Sequence, residues 1–237
     1  MLNNILYKNL KIIHINVNSI ISISRRYELQ TFLKLHDQDI VLLNKTKLNK
    51  LHKVYFNNYN MIRNDRKDAK QGGGTAILIK DIIKYEKYVD IKISELKILE
   101  TSIIKIPLRG NKTLFVISSY YPSGNNDTHF KNDLFNLFTS LKLNNLETYH
   151  ILTGDLNAKH HDWGNIVSNQ KGHKLSEFFI DHGIQFKSKL YASTLPSYPR
   201  TNSYLDICIA DCRLNIFSEN VSVNCLPTLN YDSDHNA

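Results

Sequence analysis

The chain has 237 residues, a hydrophobic content of 42% and a formal net charge of +8. This length allows one large domain with its own core, and no apolar run reaches the roughly 18 residues that a bilayer-spanning helix needs. We therefore expect neither a membrane anchor nor a signal peptide. The excess of lysine and arginine favours a polyanionic partner, although solvated lysine faces produce the same balance.

Three cysteines, Cys208, Cys212 and Cys225, are too few and too irregularly spaced for a metal or disulfide framework. No Cys-x-x-Cys pair or neighbouring histidine cluster accompanies them, so we expect neither a zinc site nor a disulfide scaffold. A reducing compartment fits this cysteine usage better than an oxidising one.

Short β-rich runs and helical patterns alternate along the chain. Apolar runs that end in Asn, Asp, Gly or Pro predict strands at 11–17, 40–43, 75–79, 98–106, 113–120, 149–153 and 204–210. Apolar residues at helical spacing predict helices over 29–36, 130–141 and 175–183. The turn Arg109-Gly110-Asn111 predicts a hairpin between its flanking strands.

This mixture of hairpins and helix-linked strands predicts an α/β protein rather than a purely parallel sheet. The predicted architecture is a four-layer sandwich in which two mixed β-sheets pack face to face between flanking helices. We see no repeat and no linker, so we expect a single domain over 1–237. The glycines 72–74 precede a strand with no following Lys-Ser/Thr and no helix, which favours a hairpin entry over a phosphate-binding loop.

Two motifs carry the chemistry. An apolar run ends in Gly154-Asp155-Leu156-Asn157, and the chain later reads Ser233-Asp234-His235. A carboxylate and an amide at the end of a buried strand are rigidly held but open to a ligand, and a histidine supplies an imidazole for proton transfer or phosphoryl charge. Gly-Asp-x-Asn is also a common turn after a strand. The two motifs in this order therefore indicate phosphodiester chemistry only in combination.

Further motifs point to a family. They are Gly154-Asp155-Leu156-Asn157-Ala158-Lys159-His160 with Trp163-Gly164, the segment Arg63 to Arg66 before Gly72-Gly73-Gly74-Thr75-Ala76-Ile77, and Ser203-Tyr204-Leu205-Asp206-Ile207. With them, the chain resembles the endonuclease/exonuclease/phosphatase superfamily over nearly its whole length. Within that superfamily it is similar to the apurinic-endonuclease-like domain of LINE-type (non-LTR) retrotransposons, near the jockey-like clades.

The resemblance implies a role for each matching residue. Asp155 would orient or deprotonate the attacking water, Asn157 would position the scissile phosphate, and Tyr120 would contact that phosphate. Asp206 would orient His235, which would stabilise charge on the phosphoryl oxygens. Asn16 would help hold a metal ion and Asp234 would support it, and the basic residues implied to contact DNA are Arg63, Arg66, Lys159 and Arg200.

Structural explanations stand beside several of these roles. Asp206 could cap a loop at a strand end, and Tyr120 could pack with its hydroxyl bonded to backbone. A role in filling a loop suits Trp163, His160 and His161 as well as a substrate contact does. Arg200 and Lys171 fit DNA-backbone contacts or solvated side chains equally well.

One position departs from the family. The family carries a glutamate as its principal metal ligand in a run like Leu-Asn-Glu-Thr, whereas this chain reads Leu43-Asn44-Lys45-Thr46. An ammonium donates hydrogen bonds and cannot coordinate a cation. At 4 Å and an effective dielectric of 20 it would also repel a divalent ion by about 8 kcal/mol before relaxation. The implied cofactor, Mg²⁺ or Mn²⁺, should therefore bind weakly.

Two explanations of Lys45 remain. Either the copy has lost or reduced its activity, which the missing carboxylate favours, or Lys45 turns aside and Asn16, Asp234 and substrate phosphate retain a weak metal. The predicted function is a metal-dependent endonuclease that nicks one strand of double-stranded DNA to prime reverse transcription. The alternatives are a catalytically silent DNA-binding module and a phosphoester phosphatase of the same superfamily.

The remaining expectations concern context. The resemblance implies that this sequence is the N-terminal part of a longer polyprotein, with a reverse transcriptase domain downstream and a nuclear site of action. Besides the divalent metal, we expect no small-molecule cofactor and no membrane partner.

Overall fold

The computed structural model describes residues 10–66, 72–124, 127–214, 231 and 233–236. The strands are β1 (Ile12–Asn16), β2 (Ile40–Asn44), β3 (Tyr59–Asn64), β4 (Thr75–Lys80), β5 (Glu86–Lys87), β6 (Glu100–Pro107), β7 (Thr113–Tyr120), β8 (Thr148–Asp155), β9 (Ser188–Tyr191) and β10 (Asp206–Asp211). The helices are α1 (Ile23–His36), α2 (Ile91–Ser94), α3 (Phe130–Ser140) and α4 (Gln170–His182), with 3₁₀ turns at Asp127–His129, His161–Trp163 and Pro199–Thr201.

The described strands form two mixed sheets. One has four strands in the order β1-β2-β4-β3, and the other has six in the order β5-β6-β7-β8-β10-β9. Strands β1 and β2 are parallel, as are β7 and β8, whereas the other neighbours are antiparallel. Each parallel pair is connected through a helix, α1 in the first sheet and α3 in the second, as a crossover requires.

Three apolar clusters separate four layers. Between the sheets, Ile40 and Leu42 of β2 belong to the same cluster as Ile104 and Val116 of the larger sheet. The alternate residues of β2 face the other way and pack with Leu29, Phe32 and Leu33 of α1. On the far side, α3 and α4 bury Leu134, Phe138, Leu175 and Phe178 against the six-stranded sheet. The predicted four-layer α/β sandwich is therefore confirmed.

All seven predicted strands are present, and the bounds of β7 agree with the prediction. The three strands that the sequence pattern did not predict, β3, β5 and β9, each lie at an edge of a sheet. Edge strands are short and partly polar, so they lack the continuous apolar run that marks a buried strand. The predicted hairpin at 109–111 is also found, because β6 and β7 pair antiparallel around it.

Two helices begin earlier than their apolar spacing predicts, because their first turns are polar. Helix α1 begins after Ser22, whose side chain accepts a hydrogen bond from the backbone of Arg25, and α4 begins after Asn169, which caps Gly172 in the same way. In the parts of the chain that the structure describes, none of the helices combines the length and apolarity needed to cross a membrane.

Gly154 allows the backbones around the end of β8 to approach closely. A Cβ atom placed on Gly154 would lie 1.6 Å from the carbonyl oxygen of Ser119 in β7. That distance is far inside van der Waals contact, and the obstructing atom belongs to the backbone. Glycine is therefore required one residue before Asp155.

We expect Gly154→Ala to lower the free energy of unfolding by about 1–3 kcal/mol, because the strands must separate to admit the methyl group. Urea denaturation of the whole chain measures this change. The control is Gly124→Ala, where an added Cβ meets no atom within 4 Å. The control should be neutral or stabilising by less than about 1 kcal/mol, and equal losses in both variants would contradict the close approach.

Candidate active site

The polar residues that end or begin the strands lie at one edge of both sheets. In the four-stranded sheet, Asn16 is in register with Asn44, and Asn44 with Thr75. In the six-stranded sheet, Asp206 at the start of β10 is in register with Asp155 at the end of β8. Because β10 runs antiparallel to β8, the start of one meets the end of the other.

Asn44 links the two sheets at this edge. Its Oδ1 accepts a hydrogen bond of 2.7 Å from the backbone N–H of Asp155, and its Nδ2 donates to Ser118 Oγ at 3.0 Å. Asn16 makes a second link, since its Nδ2 donates to Asp155 Oδ2 at 2.9 Å. All four side chains are buried. The position of the Asp155 carboxylate is therefore fixed from both sheets.

The Asp155 carboxylate is surrounded by donors and has no exposed surface. Lys45 Nζ lies 3.0 Å from Oδ2, and His235 Nε2 lies 3.8 Å from the same oxygen. The other oxygen, Oδ1, accepts from the backbone N–H of Asn157 at 3.1 Å. Burial and the nearby Asp206 raise the pKa of Asp155, while Lys45 and His235 act in the opposite direction without cancelling the rise.

His235 is oriented by Asp206. Its Nδ1 lies 2.6 Å from Asp206 Oδ2, and Asp206 is itself held because its backbone N–H donates to Ser197 Oγ at 3.0 Å. Burial alone would lower the pKa of His235, but the Asp206 carboxylate, with a smaller contribution from Asp155, raises it overall. The same pairing lowers the pKa of Asp206 although burial opposes it. This pair therefore favours an imidazolium facing a carboxylate.

Asn157 adopts a left-handed backbone conformation, with φ of 51°. Its Nδ2 donates to the carbonyl of Tyr121 at 2.9 Å, and its own carbonyl accepts from Asn169 Nδ2 at 2.9 Å. Tyr120 is buried with its ring centroid 5.6 Å from Lys45 Nζ, and burial raises the pKa of its phenol. Asn157 is thus held beside Asp155, and Tyr120 lies beside Lys45.

The C-terminal segment brings Asp234 and His235 to the same edge. Ser233 Oγ donates to the carbonyl of Asn16 at the end of β1. Asp234 lies close enough to Lys45 to contribute to raising its pKa. Every catalytic and metal-site position named from the sequence is therefore gathered at this edge: Asn16, Lys45, Tyr120, Asp155, Asn157, Asp206, Asp234 and His235.

The basic residues that the resemblance implies for DNA contact lie in different environments: some are paired, one lines a cleft and one is exposed. Arg63 donates to the carbonyls of His52 and Asn49, at 2.9 and 3.1 Å, and Arg66 pairs with Glu100 at 2.5 Å. Lys159 lines an open cleft of about 600 Å³ beside Asn157. Arg200 is exposed on a 3₁₀ turn. Lys171, in the wall of that cleft, pairs with Asp127 at 3.3 Å, so it is not simply solvated.

Sequence reasoning missed four residues that support the site: His14, Asn44 in its linking role, Asn169 and Ser197. His14 lies inside the apolar run of β1, where its Nε2 donates to Asn44 Oδ1 at 2.9 Å and its Nδ1 lies 3.5 Å from Asp206 Oδ1. Its only signal was a polar residue within a buried strand. Burial lowers the pKa of His14 despite the nearby carboxylate.

The donor set decides whether a divalent cation fits. Asp155, Asp206 and His235 each offer a ligand atom, and these atoms lie within 4.8 Å of one another. However, the Lys45 ammonium lies 3.0 Å from Asp155 Oδ2, at the position where the resemblance implies a glutamate, and His235 is already paired with Asp206. An ammonium only donates, so the residues present do not fit a divalent cation held between Asp155 and residue 45. Lys45 therefore does not turn aside; it faces Asp155.

The pairing of His235 with Asp206 predicts a measurable titration. We expect the pKa of His235 to lie above the ordinary histidine value of about 6.5 and to fall in Asp206→Asn, which removes the charge but keeps the shape. Because a raised histidine pKa stabilises the fold below the unfolded value, this contribution is lost as the pH rises through the folded pKa. The pair therefore contributes least at alkaline pH.

NMR titration of the imidazole signals measures this pKa directly. The control is Asp162→Asn, because the Asp162 side chain is exposed and pairs with His160 instead. An unchanged His235 titration in Asp206→Asn would contradict the assigned pairing.

Comparison with known proteins identifies the family. A profile of the endonuclease-reverse transcriptase family matches residues 114–237. The RNA-directed DNA polymerase from mobile element jockey of Drosophila melanogaster is 29% identical over 160 residues, which are 66% of this chain and 16% of that protein. This chain thus aligns with only a small part of the length of that relative.

Solved structures share the fold. The endonuclease domain of TRAS1, a telomere-specific non-LTR retrotransposon, superposes with a TM-score of 0.70 at 16% identity, covering 96% of this chain and 94% of that one. The AP endonuclease LMAP from Leishmania major gives 0.68 at 16% identity, with coverage of 96% and 85%. The family profile, which matches more than half of the chain, confirms the resemblance seen in the sequence: the chain belongs to the endonuclease-reverse transcriptase family.

Proposed function

We propose that this chain is the DNA endonuclease domain of a non-LTR retrotransposon, acting on one phosphodiester bond of double-stranded DNA, and that Lys45 reduces nicking by this copy. The observation that carries the proposal is the convergence of Asp155, Asn157 and His235 at one sheet edge. Asp155 and Asn157 lie at the end of β8, whereas His235 comes from a segment far later in the sequence, and each of the three is held by hydrogen bonds. Phosphodiester hydrolysis needs this rigid placement of a base and of donors for developing charge.

The side chains suggest a division of roles. Asp155 would orient the attacking water and accept its proton, since burial raises its pKa. His235, kept cationic by Asp206, would donate to the phosphoryl oxygens as they gain charge. Asn157 and Tyr120 would fix the position of the phosphate. These roles require a free lone pair on Asp155.

Lys45 limits the number of free lone pairs on the Asp155 carboxylate. Asp155 Oδ2 already accepts from Asn16 at 2.9 Å and pairs with Lys45 at 3.0 Å, and Oδ1 accepts from the backbone of Asn157 at 3.1 Å. A carboxylate with these partners is a weaker base toward water. The implied Mg²⁺ or Mn²⁺ should also bind poorly, since a carboxylate ligand is absent and a positive charge stands in its place.

The wider context extends the proposal. The jockey relative is named an RNA-directed DNA polymerase, and the alignment covers 16% of it. We therefore place a reverse transcriptase domain downstream in the parent polyprotein and the site of action in the nucleus. A nick that exposes a 3′-hydroxyl would prime reverse transcription there. The DNA backbone would meet Lys159 in the cleft beside Asn157 and the exposed Arg200, together with Arg63 and Arg66.

A second candidate function has one specific observation in its favour. The ion pair between Lys45 and Asp155 is consistent with a DNA-binding module that no longer cleaves. A phosphatase acting on small phosphoesters has less support, because the net charge of +8 suits a polymeric anion better.

Nicking of supercoiled plasmid separates these functions. We expect Lys45→Glu to raise the Mg²⁺-dependent nicking rate by at least about a hundredfold, because it restores a carboxylate beside Asp155. The matched control is Lys34→Glu, which makes the same charge change at an exposed position of α1 and should leave the rate unchanged.

The outcomes are distinct for each candidate. Equal rates for the wild type and Lys45→Glu would refute the proposed effect of Lys45. Plasmid binding without relaxation by either protein would favour the silent module. Turnover of inositol phosphates without action on DNA would favour the phosphatase.

A further inference from the structure

We propose that the Lys45 ammonium serves as a built-in cation, so that the site binds the phosphodiester backbone of DNA without a divalent metal. This inference rests on the proposed function for its ligand, double-stranded DNA. It goes further by assigning Lys45 a binding role rather than only the loss of a metal ligand.

The placement of Lys45 is the first support. It follows β2 in a left-handed conformation, with φ of 54°, which is uncommon for a residue with a side chain. Its Nζ lies 3.0 Å from Asp155 Oδ2 and 5.6 Å from the centroid of the Tyr120 ring. About 20% of the side chain is exposed, whereas Asp155 has no exposed surface. Lys45 is therefore the member of this pair that an incoming ligand can reach.

Charge is the second support. A glutamate with a bound divalent cation carries a total charge of +1, and a lysine carries the same charge with no added ion. A phosphodiester approaching this edge would therefore meet the same net charge in either arrangement. A lysine ammonium is charged at neutral pH, and the Asp155 carboxylate 3.0 Å away favours that charged form.

Hydrogen-bonding capacity is the third support. An ammonium has three donors, and Asp155 requires one of them. His235 Nε2 lies 3.8 Å from the same carboxylate oxygen that Lys45 contacts. Donors from two different elements thus lie beside the same carboxylate oxygen, and the two N–H groups of Lys45 that Asp155 does not take up would be available to a phosphate oxygen.

A purely structural role for Lys45 makes different predictions. If the ammonium only neutralised the buried Asp155, its loss would lower stability but leave DNA affinity unchanged once the protein is folded. Affinity in the absence of metal therefore separates the two roles.

The first experiment measures binding of a fluorescein-labelled DNA duplex by anisotropy, in EDTA and in Mg²⁺ at matched ionic strength. We expect the Kd of the wild type to agree within about twofold between the two buffers, and Lys45→Met to bind about tenfold more weakly in EDTA, as expected for losing a hydrogen bond to a charged group. Lys34→Met, which removes the same charge from exposed α1, should change the Kd by less than about threefold.

The second experiment is decided by the wild-type chain, so its deciding result does not depend on the folding of a variant. Electron paramagnetic resonance of Mn²⁺ titrated with the wild-type chain should detect no stoichiometric bound ion, whereas Lys45→Glu should bind one. Stoichiometric Mn²⁺ binding by the wild type would overturn the inference.

Two outcomes of the binding experiment would contradict the inference, and they can be told apart. Duplex binding that requires Mg²⁺, or that is the same in Lys45→Met as in the wild type, would overturn the built-in cation while leaving DNA as the ligand. The absence of duplex binding by every variant in both buffers would overturn the proposed function and this inference with it.

Discussion

The site depends on a set of buried hydrogen bonds that fasten the two sheets together at one edge. Asn44 is at its centre, because its amide oxygen accepts from the Asp155 backbone while its nitrogen donates to Ser118 in the neighbouring strand. Apolar packing between sheets is not directional, so it cannot alone fix the offset of one sheet relative to the other. Polar partners can, since a buried amide left without them would cost about 1–3 kcal/mol. The position of the carboxylate is thus a property of the sandwich as a whole.

Four charged groups at this edge form close pairs of opposite sign, and Asp234 adds a further carboxylate near Lys45. Asp155 and Asp206 are carboxylates, while Lys45 and the imidazolium of His235 supply two positive charges within 4 Å of them. Buried charges are tolerated only when they are paired and hydrogen-bonded. This pairing makes a lysine at position 45 compatible with the buried Asp155.

Much of this could be predicted from the sequence. The apolar runs of β2, β4 and β7 identified the central strands, and the polar residues that follow them identified the edge where they meet. The edge strands β3 and β9 could not be predicted, because their burial depends on neighbours far along the chain rather than on their own pattern. The contacts of His14 and Asn44 could not be predicted for the same reason: each joins residues of different strands whose register the sequence does not state.

Ser233 is hydrogen-bonded to the carbonyl of Asn16, 217 positions earlier in the chain. During synthesis on the ribosome, β1 emerges long before the residues that complete its edge, so most of the sandwich can assemble while that carbonyl is still without Ser233 and Asp206 without His235. Contacts between such distant residues form late, since closing so long a loop is entropically costly. A nascent chain is therefore expected to form most of the sandwich before the segment with Ser233 and His235 docks and completes this edge.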